Sequence, residues 1–254
     1  MRVIILICIF WIFPFVSNAL VFKTYQNDDT TITSKTPKYG KDSISCVNNL
    51  IQYRKLYKVW KSTGYKSDII YDIYEPWHYT FKLCPASSEN IYVDGIRIIK
   101  TIIKNEPDIY RKNLLIDTIM LLYDKRIEYF PLRGHHGPQK GRILARKGVD
   151  LYKLDSLRYA DVYIILRQSI NLEKENSKVF TCKYFLKSME KMYNAHILTK
   201  EEALYEFDMI FKYYHINIEN NRGNRNNKKV AELSSIKTEL DNVYNRVTIK
   251  ETIK

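Results

Sequence analysis

Apolar residues recur three and four positions apart along most of this chain, the period of a helix face rather than the alternation of a strand. Val47, Leu50, Tyr53, Tyr57 and Trp60 mark a first helix, capped by Ser43 or Ser45 and closed by Gly64. Ser67 opens a short second helix through Ile69, Ile70 and Ile73 that stops before Pro76. A third runs from Ser87 or Ser88 to near Lys104 on Ile91, Ile98, Ile99, Ile102 and Ile103. Pro107 suits the first turn of a fourth, through Leu114, Leu115, Ile119 and Leu122. The pattern then breaks over 129–148, where Gly134, Gly137, Gly141 and Gly148 supply half of the eight glycines and predict a loop. Leu151, Leu154, Leu157, Val162 and Ile165 predict one helix beyond it, followed by helices over 180–193 and 199–214. The last of these opens on the capping box Thr199-Lys200-Glu201-Glu202. An Asn/Lys-rich linker over 217–229 leads to a final stripe of Leu233, Ile236, Leu240, Val243 and Val247. About two heptads are too few for a coiled coil, so this stripe docks on the chain's own core.

The start of the chain has another character. Met1-Arg2 precedes the apolar run Val3 to Phe13, Pro14 ends the run, and Ser17-Asn18-Ala19 places small residues at a cleavage site. This is the pattern of a secretory signal peptide over 1–19, and the run is about half of what a bilayer span needs. Residues 20–42 are polar and aperiodic and read as a flexible leader. No later stretch is apolar enough for a transmembrane segment in the mature chain, so a secreted protein is expected. Removal of Cys8 with the signal leaves Cys46, Cys84 and Cys182, an odd number in an oxidising compartment. Cys46 with Cys84, or Cys46 with Cys182, are both open as pairings. In the first case Cys182 is a free or intermolecular thiol. No Asn-x-Ser/Thr sequon is present, and N-glycosylation is not expected.

The two Cys-led segments resemble each other. Cys46, Leu50, Lys55 and Tyr57 match Cys182, Leu186, Lys191 and Tyr193 at identical offsets. After a two-residue gap, Ile70, Tyr71, Asp72 and Ile73 match Leu204, Tyr205, Glu206 and Phe207. An internal duplication follows, with Leu and Tyr forming the core of each copy. The chain thus reads as all-α, a helical bundle of two similar Cys/Tyr-containing helical halves joined by a Gly-rich basic loop. The first half covers 43–128, the loop 129–148, the second half 149–216, the linker 217–229 and a C-terminal helix 230–254. Few Gly (8) and Pro (7) argue against collagenous, propeller or turn-rich sandwich folds.

A signal peptide followed by two copies of a Cys…Tyr…Cys module, Cys46…Tyr57…Cys84 and Cys182…Tyr193, resembles the BICYCLE family of secreted aphid salivary proteins associated with galls. The second copy lacks its closing cysteine. The resemblance implies a secreted, host-directed effector acting on a plant host. It implies no reaction.

Charge adds one candidate site. Lys and Arg total 41 against 28 Asp and Glu, a formal net charge of +13. Within the central segment Arg133, Lys140, Arg142, Arg146 and Lys147 occur with no acid before Asp150. Glycine-rich backbone and arginine suit an anion, so this loop is the candidate for phosphate, nucleic acid or another polyanion. It is not a Walker A loop, because Arg142 follows Gly141 where Lys-Ser/Thr is required. His135 and His136 are weak candidates for metal ligands, no supporting motif accompanies them, and neither metal nor cofactor is expected. His78 reads as part of a packed turn, and Asp150, Asp155 and Asp161 as a solvated helix face. No catalytic motif is found. A non-enzymatic interaction protein that binds a host protein or other host macromolecule is therefore expected. A secreted polyanion binder acting through 133–147 and an unrecognised enzyme are the alternatives.

Overall fold

The chain folds as a succession of α-helices that cover each other's apolar stripes. The computed structural model describes residues 37–132, 137–224, 227–234 and 237–249. The signal peptide, the leader as far as residue 36, and Arg133, His135, His136 and Ile236 lie outside the described residues, as does the side chain of Leu233. The helices are α1 (Ser43–Ser62), α2 (Ile70–Leu83), α3 (Asn90–Asn105), α4 (Ile109–Tyr129), α5 (Lys140–Leu154), α6 (Tyr159–Glu173), α7 (Val179–Asn194), α8 (Lys200–Gly223), α9 (Asn227–Ser234) and α10 (Lys237–Ile249). Among the described residues there is no strand, only an isolated bridge between Leu132 and Pro138. The architecture is an all-α helical bundle.

Neighbours in sequence pair in space: α1 with α2, α3 with α4, α5 with α6, and α6 with α7. One continuous core runs through Trp60, Trp77, Ile99, Leu122, Leu166, Phe185, Ile210 and Leu240. Leu240, Val243 and Val247 of α10 are buried against α7 and α8, the docking that their spacing predicts. The disulfide joins Cys46 of α1 to Cys84 just beyond α2, which excludes the Cys46–Cys182 pairing. Cys182 is half-buried against the core, outside that bridge.

Several boundaries differ from expectation. The cap of α1 is Asp42, whose side chain accepts from the Ser45 N–H at 3.0 Å, rather than Ser43 or Ser45. The leader is ordered at its end: Tyr39 packs on the core, and Gly40, at φ +68°, lies against the Leu83 carbonyl. Pro76 does not stop α2 but lies buried inside it. The helix continues because Trp77 is fully buried, donates Nε1 to the Ile91 carbonyl at 2.8 Å, and the bridge at Cys84 holds the far end. His78 is therefore on a helix, stacked on Tyr74, and not in a turn.

The expected single helix over Leu151 to Ile165 is two. Asp155 ends α5, its carboxylate accepts the Leu157 N–H at 3.0 Å, and Leu157 is 83% exposed. The expected linker over 217–229 is mostly helix. There α8 continues to Gly223, with Asn217 and Ile218 buried and the Asn217 amide donating to the Glu175 carbonyl. The predicted C-terminal helix 230–254 is α9 and α10, with residues 250–254 outside the described part.

The two Cys-led helix pairs, α1–α2 and α7–α8, share several details. Each first helix ends in a Schellman bond, Tyr65 N–H to the Trp60 carbonyl and Ile197 N–H to the Met192 carbonyl, both 3.0 Å. Leu50 and Leu186 are buried at matching positions, as are Ile73 and Phe207. Tyr71 and Tyr205 are not core residues, being 58% and 65% exposed. Tyr57 and Tyr193 are half-buried and face outward: burial, and then the nearby Asp94 charge of α3, raise the Tyr57 hydroxyl's pKa, and Tyr193 donates to the Val247 carbonyl of α10. The pairs differ at Asp72, exposed, and Glu206, buried.

Candidate anion-binding groove

Half of the segment that reads as a basic loop is helix. Only 130–139 connects α4 to α5, and α5 begins at Lys140. Gly141 and Gly148 are points of close approach rather than breakers. A Cβ on Gly148 would come within 2.4 Å of Leu166, and one on Gly141 within 2.4 Å of the Glu173 carboxylate. Because α5 turns about 100° per residue, it separates the predicted cluster. Lys147 points to α4 and pairs with Asp124 at 2.5 Å. Arg142 lies near Glu173 at 3.6 Å. Lys140 is exposed at the helix start. Arg146 faces a groove.

That groove is built on α3. Its Ile91, Ile98, Ile99 and Ile103 face the core, so Arg97, Lys100, Thr101 and Lys104, at complementary helical spacing, line the outer side. The opposite wall is Tyr123 and Arg126 of α4, Arg146, Val149 and Asp150 of α5, and Phe180 of α7. The groove has a volume of about 430 Å³. A second hollow of about 540 Å³ continues from it past Arg97, Thr101 and Lys104 to Tyr65, Lys66 and Tyr71.

Five cations line the main groove, with Asp150 as its acid. Asp150 is no part of a solvated face, since it is half-buried, takes the Tyr123 hydroxyl and pairs with Lys100. Burial, and then the Asp150 charge, push the Tyr123 hydroxyl well above the ordinary phenol range. The buried Arg126 is held by Glu89, donating Nε and Nη2 to Oε1 at 3.1 and 2.8 Å, and Gln139 reaches the same oxygen at 3.3 Å. The Arg97 guanidinium covers the Tyr65 ring at 4.4 Å. Lys104 and Arg146 have no acidic partner among the described residues, so the groove keeps an excess of positive charge. A concave cationic surface of this kind concentrates field lines and attracts anions.

Of the five predicted anion-binding residues, only Arg146 reaches this groove, and Arg133 lies outside the described residues. Arg97, Lys100 and Lys104 are not among the residues that the sequence pattern singles out, although their i, i+3, i+7 spacing opposite the isoleucines is visible in it. Among the described residues no group of three or more His, Cys, Asp or Glu is placed to hold a metal. None of their helices is long and apolar enough to cross a membrane. No family model, curated protein or solved structure matches the chain.

Proposed function

We propose that the protein is an all-α binding protein rather than an enzyme. Its partner is an extended polyanion laid along the α3 groove, and its setting is the secreted, host-directed one that the BICYCLE resemblance implies. The observation that carries this reading is the row Arg97, Lys100 and Lys104 facing Arg146 across a continuous groove. The titratable groups there are engaged with one another, Tyr123 and Lys100 on Asp150 and Arg126 on Glu89, which suits a fixed surface more than proton transfer. The exposed Tyr71 ring in the adjoining hollow offers a stacking face. The Cys46–Cys84 bridge is consistent with a secreted location.

The test is binding of a single-stranded RNA oligomer and a heparin oligosaccharide across salt. Replacing Arg97, Lys100 and Lys104 by Gln is expected to lower RNA affinity at least tenfold. The slope of log K against log salt should flatten by about 2, near 0.7 for each phosphate that the variant no longer neutralises. An equal-charge control at Lys55, Lys58 and Lys82 should change both much less. Equal losses in the two triple variants would reduce the binding to bulk charge and remove the groove from the account.

A host protein as partner is the second reading. It is favoured by the exposed Tyr110, Leu114 and Leu121 on the outer side of α4.

A further inference from the structure

A smaller hollow of about 120 Å³ lies beside the groove, where α5, the end of α6 and the start of α7 meet. Arg142, Arg146 and Lys178 contribute cations to its lining, Glu173 an acid, and Ser177 and Thr181 hydroxyls. The 16-residue α7 opens here with no side-chain cap and no acid in its first turn. The Thr181 and Cys182 N–H groups bond back to the Lys178 carbonyl. Those of Val179 and Phe180 have no acceptor within the helix. Such an end carries partial positive charge and donors aimed outward.

The hydroxyls supply a separate observation. Ser177 and Thr181 are only 5% and 1% exposed, yet neither Oγ nor Oγ1 has a hydrogen-bond partner among the described residues. Buried hydroxyls are normally satisfied, and leaving one unmade is costly. Two of them lie unpaired at one uncapped helix start, with Arg142 and Arg146 one helical turn apart on α5 beside them. Glu173 does not satisfy the hydroxyls. It forms an ion pair with Arg142 at 3.6 Å, longer than a hydrogen bond, and makes no bond to either hydroxyl.

We propose that the start of α7 is a site for one tetrahedral oxyanion, a phosphate or sulfate group. The Phe180 N–H group and the Ser177 and Thr181 hydroxyls donate to its oxygens, and Arg142 and Arg146 balance its charge. The site adjoins the polyanion groove through Arg146 and Phe180 but does not rest on it, because its Ser177 and Thr181 hydroxyls lie outside the groove lining.

The experiment titrates inorganic phosphate and sodium sulfate separately into the intact, disulfide-bonded chain at constant ionic strength, by calorimetry and by thermal shift. Saturable binding with a rise in Tm that matched chloride does not produce is expected. The tighter of the two anions names the source, a phosphate or a sulfate group. Thr181→Val keeps the shape of the side chain and removes an unpaired hydroxyl, so the fold should be as stable as before or more so. Anion affinity in that variant should fall at least tenfold, and Arg142→Gln should do the same. RNA and heparin binding should survive Thr181→Val, whereas the Arg97, Lys100 and Lys104 triple variant should keep the small-anion response. The failure of either reading is thus visible separately. No saturation by either anion, or equal affinity in wild type and Thr181→Val, would overturn the site.

Discussion

At the scale of the residue, tyrosine and glycine carry the most information. Tyr53 is fully buried, and desolvation with the nearby Asp94 charge pushes its hydroxyl up to about 12. Burial raises Tyr57, Tyr92, Tyr123 and Tyr163 still further. The folded value then exceeds the unfolded value of 10.0, so the protonated form is favoured by folding. That contribution is complete below pH 10 and is lost as the pH rises toward 12 and beyond. Alkaline titration should therefore show one class of tyrosines ionising early and a buried class ionising together with loss of helical circular dichroism. A single early step for all tyrosines would contradict their burial. Gly95 makes a sharper case. A Cβ there would sit 2.4 Å from Trp77, which is fully buried and hydrogen-bonded. Gly95→Ala gains about 1 kcal/mol of helix propensity but overpacks the core by roughly 1–3 kcal/mol. A net loss is expected in chemical denaturation, against the usual direction for a helical glycine. The sequence shows a glycine within a helical pattern and no more, because the ring that needs the space comes from another helix.

At the scale of the element, local signals succeed where the cause is local. The Thr199 capping box forms as the residues predict, with both reciprocal bonds present. Thr199→Ala should cost about 1 kcal/mol, since it leaves the Glu202 N–H unpaired. Urea denaturation measures that loss, and an unchanged midpoint would show that tertiary packing alone holds the start of α8. Where the cause is a neighbour, local signals mislead. Gly141 and Gly148 resemble breakers but allow α5 and α6 to approach, and with α5 a helix the supposed basic loop disperses. Pro76 resembles a stop, yet Trp77 and the disulfide carry α2 through it. The Asn/Lys-rich stretch after Ile216 resembles a linker, yet burial of Asn217 and Ile218 extends α8.

At the scale of the whole molecule, the disulfide and the groove stand apart from the periodic pattern. The bridge closes a loop of 38 residues between α1 and the end of α2. Chain-entropy arguments assign about 4 kcal/mol to a loop of that size. Reduction should lower the guanidinium midpoint accordingly, and Cys182→Ser should not, because Cys182 lies outside the bridge. A similar drop in Cys182→Ser would mean that its half-buried packing matters as much as the covalent link. The groove gathers Arg97, Lys100 and Lys104 from α3 with Arg146 from α5, residues about fifty positions apart.

Helix content, the all-α class, the docking of the last stripe and the start of α8 are legible in the amino-acid order, because each depends on spacing within a few residues. The partner of Cys46, the meaning of each glycine and proline, and the sites that Arg142 and Arg146 join are decided by the packed chain. Each depends on which surface arrives opposite, and a distance between helices is not written at any one position.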